Sequence, residues 1–584
     1  MTLRKTVARS LAFAVLAALV ALVPAGASQG APNGGEQPTT RPILFRGTND
    51  VIDGPVQIAP KKVDSSHWRN VIDRKVPSSA STRDLALPTP PNTPITFDNP
   101  GHEGWTGLTH LDSRLADEGD QFSLEPPDPV ACVSADRVFQ AVNDAVAVYD
   151  TRTQLLGGPV SLNQFFDYPP SIDRPENIFG PFVFDPKCYR DAVSGRWYVT
   201  VDVLFQDPET GGTLPKSRVD VAVSATSDPM GIWYLYSIDT THREHSKCPC
   251  FGDQPLIGAD AYAFFVSVNE FPLFRSGFNG AEIYAISKAD LESGAGHVAA
   301  FFEPDLAEIR EPFSLQPAVA GQGEFDTTNG GTEYLLGALE NADDRIAVWA
   351  VTRTSAIDAN PLALRLNHTV IGSQVYGSPP KAEQKDGPHP LGASVGEPVN
   401  FLDTGDRRFQ QAELAGGFLW GNNDTIIGGE ADPRAGLAWY QISARAFDGQ
   451  VVASVVDQGY IAVENANLIY GAIGVNSAGQ ALMAFTLVGE DWFPSAAYSR
   501  IAGGTNGPVH VAREGIRPED GFTCYNAFVG DNSRGCRWGD YSEVNVNPDG
   551  DFWFTTEYIH DGPRTSLANW GTWIGNVDPN VPEG

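Results

Sequence analysis

Basic residues are scarce in this chain: 40 Lys and Arg stand against 72 Asp and Glu, a formal net charge of −32. A surface of that sign repels phosphate backbones and acidic lipid faces, so neither nucleic acid nor an anionic membrane is an expected partner. Charge of either sign is sparse, at 19% of 584 residues, which excludes a solvated helical rod or a disordered polyelectrolyte. Long apolar runs are missing beyond the first 25 residues; none reaches the roughly 18 residues that a membrane span requires, so no membrane insertion is expected. Catalytic fingerprints are missing too. No GxSxG, P-loop or dinucleotide-binding glycine motif occurs, which sets aside serine-hydrolase, NTPase and Rossmann chemistry. The 10 His residues form no HExxH or other paired-ligand pattern. Glycine (59), proline (44) and aromatics (10%) are plentiful. This is the composition of a turn-rich globular protein long enough to bury a large core.

The N-terminus breaks the rule on apolar runs. "MTLRKTVARS" carries Arg4, Lys5 and Arg9, "LAFAVLAALVALV" follows, and "PAGA" ends at Ala27. That pattern predicts a secretory signal peptide over residues 1–27 and a secreted, extracellular protein. Six cysteines fit the same compartment, as disulfides in an oxidising space. Six allow 15 pairings. Cys524 and Cys536 close a short Gly/Asn-rich loop and form the favoured pair, a closure that contributes roughly 3 kcal/mol on chain-entropy grounds. Cys132, Cys188, Cys248 and Cys250 stay unassigned. The "CPC" at Cys248 invites a metal reading, but it lacks the two-residue spacer of a zinc knuckle and has only His245 nearby. No metal site is expected there.

Residues 28–103 are rich in Pro, Thr, Ser and Gly and poor in periodic hydrophobics, which predicts a flexible, largely extended leader. Residues 104–584 then repeat one theme: strand-like runs about ten residues apart, punctuated by Gly, Asp, Asn and Pro, with almost no helical periodicity. The class is all-β. A small polar residue, often beside Pro or Gly, precedes a buried run and then an aromatic one. Copies start at "EPPDPVACV", "FVFDPKCYRD", "FGDQPLIGAD", "FSLQPAVAG", "RFQQAELAGG", "LIYGAIGVNSAGQ" and "RWGDYSEVNVNPDG". Seven starts predict a seven-bladed β-propeller, whose radially stacked sheets hide their edges. Two β-sandwiches would not need so many copies.

Several of these stretches carry a resemblance. "SGRWYVTV", "AVSATSDPMGIWYLYSIDT", "GAEIYAISKADL", "RRFQQAEL" and "RWGDYSEVNVNPDGDFWFTTEYI" look like those of an uncharacterised family of secreted bacterial β-propeller proteins. That family is loosely similar to sialidase-type repeat propellers. The resemblance implies the fold and brings no established activity or catalytic residues. "TSDPMGIW" from Thr226 is similar to the aspartate-box turn of sialidases, with Gly231 displaced by one position; such a turn speaks for fold, not hydrolysis.

Chemistry is expected where the repeat starts converge. Asp128, Asp185, Asp253, Gln316, Gln410 and Asp540 head the inner strands, with Arg537 just before the last. A carboxylate ring with one arginine at a channel mouth could bind a sugar or cation. It could also supply paired acid and nucleophile for glycoside cleavage, which needs carboxyl groups about 5 to 9 Å apart. Against this, Asp beside Pro or Gly commonly caps a turn. Arg537, held by the Cys524–Cys536 loop, is expected to pair with Asp253 or Asp128. "NVNPDGDFWFTTE" approaches a calcium loop, but its first and twelfth positions are Asn545 and Thr556, so a hairpin turn is expected and calcium is only a minor reading. His110, Asp112 and Arg114 read as a closure segment. Trp197, Trp233, Phe265, Trp553 and Trp573 read as core between sheets. No cofactor is expected. The favoured reading is a non-catalytic protein that recognises an extracellular glycan or protein partner; the rival is a glycan-cleaving hydrolase or lyase.

Overall fold

Alternation of apolar and polar positions becomes antiparallel sheet along nearly the whole chain. The computed structural model describes residues 35–56, 66–70, 85–307, 312–447 and 449–583; the signal peptide expected at 1–27 lies outside them. No described helix exceeds six residues, and none is long and apolar enough to cross a membrane.

The described strands form seven four-stranded meanders. Meander 1 begins with Val130–Val133, meander 2 with Phe182–Arg190, meander 3 with Cys250–Ala259 and meander 4 with Gln316–Pro317. Meanders 5, 6 and 7 begin with Phe409–Ala415, Asn467–Val475 and Glu543–Val546. Each of the seven predicted starts falls on, or just before, one of these leading strands. Every leading strand touches the next, and that of meander 7 touches that of meander 1. The leading strands therefore ring a common centre.

Two features depart from the expected flexible leader at 28–103. Thr39–Asn49 is a strand that pairs antiparallel with the last strands of meanders 2 and 3, Trp233–Asp239 and His297–Phe302, and fuses them into one nine-stranded sheet. Its Ile43 is buried, so this stretch has enough apolar side chain to leave water. Second, His102–Thr109 completes meander 7 by pairing with Gly571–Val577, so the expected boundary at 103/104 cuts through a strand. Sheet edges are thereby covered from the N-terminal side.

The core lies between meanders. Phe139 of meander 1 meets Trp197 and Trp233 of meander 2; Phe265 of meander 3 meets Trp349 of meander 4. Trp553 of meander 7 shares a core cluster with Val138 of meander 1, and Trp573 shares one with Tyr498 of meander 6. Truncating such an aromatic to Ala costs about 3–5 kcal/mol. Three disulfides are formed: Cys132–Cys188, Cys248–Cys250 and Cys524–Cys536. The first joins the leading strands of meanders 1 and 2.

Candidate functional site

The leading strands kink where they face the centre. Asp128, Asp185, Gln254, Ser314 and Tyr470 have φ of 47°, 53°, 53°, 45° and 52°, a left-handed conformation that costs a side-chain-bearing residue about 1–2 kcal/mol. The kinks at 185, 254 and 470 coincide with bulges in strand pairing. A bulge frees backbone N–H groups, and a side chain of the preceding meander receives them. Asn143 Oδ1 accepts from Asp185 N at 2.8 Å, Asp202 Oδ2 from Gln254 N at 3.0 Å, and Asn269 Oδ1 from Ser314 N at 2.8 Å. Asp424 accepts from Tyr470 N and Gly471 N at 2.7 and 2.9 Å. These bonds offset the kink and lock each meander to the next. Sequence reasoning missed them, although the signal is there: an Asn or Asp interrupts an apolar run in "AVND", "VTVDV", "VSVNEF" and "GNNDT".

Four predicted residues do come together. Asp128 Oδ1 accepts from Asp540 N at 2.5 Å and its Oδ2 from Asn143 Nδ2 at 2.7 Å. Asp185, Asp202 and Asp253 each place an oxygen within 4.8 Å of the others. Burial first, then repulsion from Asp128, Asp202, Asp253 and Asp540, pushes the Asp185 carboxyl well above the usual range. Asp202 is raised in the same way by burial and by Asp253. Arg537 pairs with Asp540 at 2.6 Å, and its charge reaches Asp128. Lys187, missed from sequence, sits 3.3 Å above the Tyr541 ring. Burial lowers its pKa to about 8 against the pull of Glu543 and three of these aspartates.

Gln316 and Gln410 do not join them. Gln316 bonds to the carbonyls of Ile257 and Pro317; it follows its strand's kink residue, Ser314, by two positions, whereas Asp128 and Asp185 are the kink residues. Gln410 is buried in its strand, and neighbouring Gln411 makes the cross-sheet bonds to Val544. His110, Asp112 and Arg114 form one helical turn, capped by Thr109 and tied through His110 Nδ1 to Thr565. The calcium-like stretch is a hairpin turn, with Asn547 Oδ1 accepting from Asp549 N and Asp551 N. The Thr226 stretch is a turn too, bridging two strands of meander 2.

Three of these carboxylates are sealed, Asp128, Asp185 and Asp253 being 0%, 2% and 3% exposed, while the Asp540 side chain keeps 16% exposure. An open cleft of about 470 Å³ lies nearby, lined by Lys381, Asp403, Asp406 and Arg534 among others. Arg534 belongs to the Cys524–Cys536 loop and pairs with Asp403 at 3.2 Å. That loop is fixed to the cleft wall by Cys536 N to Phe401 O (2.7 Å) and Asp403 N to Cys536 O (2.9 Å). Asp406 grips Arg408 through two bonds of 2.9 and 2.8 Å, and Arg408 donates to Gln254 of the meander 3 leading strand.

No protein-family model and no curated protein matches this chain. Among solved structures, it is similar to the NanB sialidase from Streptococcus pneumoniae, at 9% identity and TM-score 0.31, over 78% of this chain and 68% of that one. A subtype N10 neuraminidase-like protein of an influenza virus from a little yellow-shouldered bat aligns at 11% and 0.31, over 70% and 98%. An α-L-arabinofuranosidase from Podospora anserina aligns at 10% and 0.25, over 56% and 91%. Likeness this faint assigns no activity to this chain, and the architecture rests on its own strand order.

Proposed function

We propose that this protein is a secreted, seven-bladed β-propeller that binds an extracellular glycan or protein partner and does not cleave it. The meanders are the blades, and His102–Thr109 is the strand that closes the ring. One observation carries the preference for binding: Asp128, Asp185 and Asp253 are almost wholly enclosed, and the partly exposed Asp540 is held by Arg537 and by its N–H to Asp128, whereas glycoside hydrolysis needs a carboxylate pair open to substrate. Recognition belongs to the charged cleft beside the Cys524–Cys536 loop, where loop side chains stand on a rigid frame.

A glycan array and a polysaccharide-degradation screen on the secreted chain test this reading. Binding without release of reducing ends is expected, weakened at least tenfold in Arg534→Ala. Release of reducing ends by the parent but not by Asp540→Asn would overturn it in favour of a hydrolase or lyase.

A further inference from the structure

A second cluster lies away from the centre, where the loop after meander 2 crosses meander 3. His242 and His245 come from that loop, Glu270 from the end of strand Ala263–Pro272, and Glu282 from the start of strand Gly280–Ser287. Each offers one nitrogen or oxygen within 4.8 Å of all the others. His242 Nδ1 is 2.9 Å from Glu270 Oε1 and 2.8 Å from Glu282 Oε1, and His245 Nδ1 is 3.3 Å from Glu270 Oε1.

Hydrogen bonding alone does not satisfy this arrangement. A ring nitrogen carries at most one proton, so His242 Nδ1 cannot serve both carboxylates. Glu282 is 3% exposed, and its Oε1 competes with Glu270 Oε1 for the one Nδ1 of His242. Two buried carboxylates thus converge on one imidazole nitrogen, an arrangement that a cation between them would relieve.

We propose that His242, His245, Glu270 and Glu282 bind one divalent transition-metal ion of the zinc class. Four ligands at about 2.0–2.2 Å in tetrahedral array stand about 3.3 Å apart. Three of the six spacings are 2.8–3.3 Å and the others lie within 4.8 Å, a cluster that can contract around one ion. Two imidazoles favour zinc over calcium or magnesium, which prefer oxygen alone.

The outer partners of a metal site are also present. The Tyr284 hydroxyl lies 3.0 Å from His242 Nε2 and donates to Glu282 Oε2 at 3.0 Å, orienting both groups. Asn279 Nδ2 donates to Glu270 Oε2 at 2.8 Å. Glu303 Oε1 stands 3.3 Å from His245 Nε2, a carboxylate behind a ligating ring. The His245 side chain is 28% exposed, which gives the ion an entry path. Cys248 Sγ approaches Glu270 Oε1 at 3.4 Å but is held in the Cys248–Cys250 disulfide, so it is no thiolate ligand. The carriers are thus the histidines of "HREH", not the cysteines of "CPC".

The test uses the full secreted chain with disulfides intact, stripped by chelator and titrated with zinc. One equivalent bound, with a raised melting temperature, is expected. Cobalt in place of zinc should give the intense visible bands of tetrahedral coordination without a thiolate charge-transfer band. His245→Ala and the near-isosteric Glu282→Gln should each weaken zinc at least about tenfold. Metal-free melting temperature monitors folding of each variant. No zinc uptake by the parent, a cobalt–thiolate band, or affinity unchanged in both folded variants would each overturn the assignment.

Discussion

Asp202 sits second in a series whose other members include Asn143 and Asn269, each accepting one N–H from the next meander. Of these three only Asp202 is ionisable, and its Oδ1 has no hydrogen-bond partner although Asp185 and Asp253 lie close. Its pKa is raised by burial and then by Asp253. A carboxyl raised on folding binds its proton more tightly in the native state than in the unfolded chain, where the pKa is about 3.9. Its stabilising contribution is therefore whole below about pH 4 and declines as pH rises toward the folded value. Asp202→Asn keeps the acceptor for Gln254 N and turns an amide N–H toward the other carboxylates. We expect it to be more stable than the parent at neutral pH. Near pH 4 the gain should vanish, as read from denaturant midpoints at both values. Asp424→Ala makes the opposite case. It orphans the buried N–H groups of Tyr470 and Gly471 and should cost about 2–4 kcal/mol. A midpoint unchanged in Asp424→Ala would show that these bonds do not hold the seam.

Among elements, the Thr39–Asn49 strand and the Cys132–Cys188 disulfide each tie neighbouring meanders together. Removing residues 1–56 uncovers the edges of Trp233–Asp239 and Trp-free His297–Phe302, and open edges invite pairing with another molecule. The truncated chain should melt lower and self-associate, which light scattering would detect; a monodisperse chain with the parent's melting temperature would refute this. Replacing both Cys132 and Cys188 by Ala should cost about 4 kcal/mol, since the disulfide closes a 56-residue separation. The all-β class and the seven leading strands were legible because Asp-Pro, Gln-Pro or Gly-Asp punctuates buried runs at five of the seven starts and a polar residue or Gly at the others. The Thr39–Asn49 strand was not, because its hydrophobics are few and Pro42 and Gly47 interrupt them; only its two partners make it a strand. Asp128, Asp185, Asp253 and Asp540 were readable as a convergent set, whereas Lys187 lies inside an ordinary strand run. His242 was overlooked, and His245 was weighed only beside the cysteines, because their carboxylate partners lie 25 or more residues away in sequence, on other strands.

At the scale of the molecule, ring closure joins segments from opposite ends of the described chain: His102–Thr109 lies against Gly571–Val577. Between their synthesis about 460 residues must be made, which takes roughly half a minute to a minute and a half at ribosomal rates. Through that interval the early strand lacks its pairing partner, and its Trp105 and Leu108 have only meander 1 to pack against. Closure must therefore wait until Gly571–Val577 has been made. Any chaperone that escorts the nascent protein has this one strand to shield, for longer than it must shield any other.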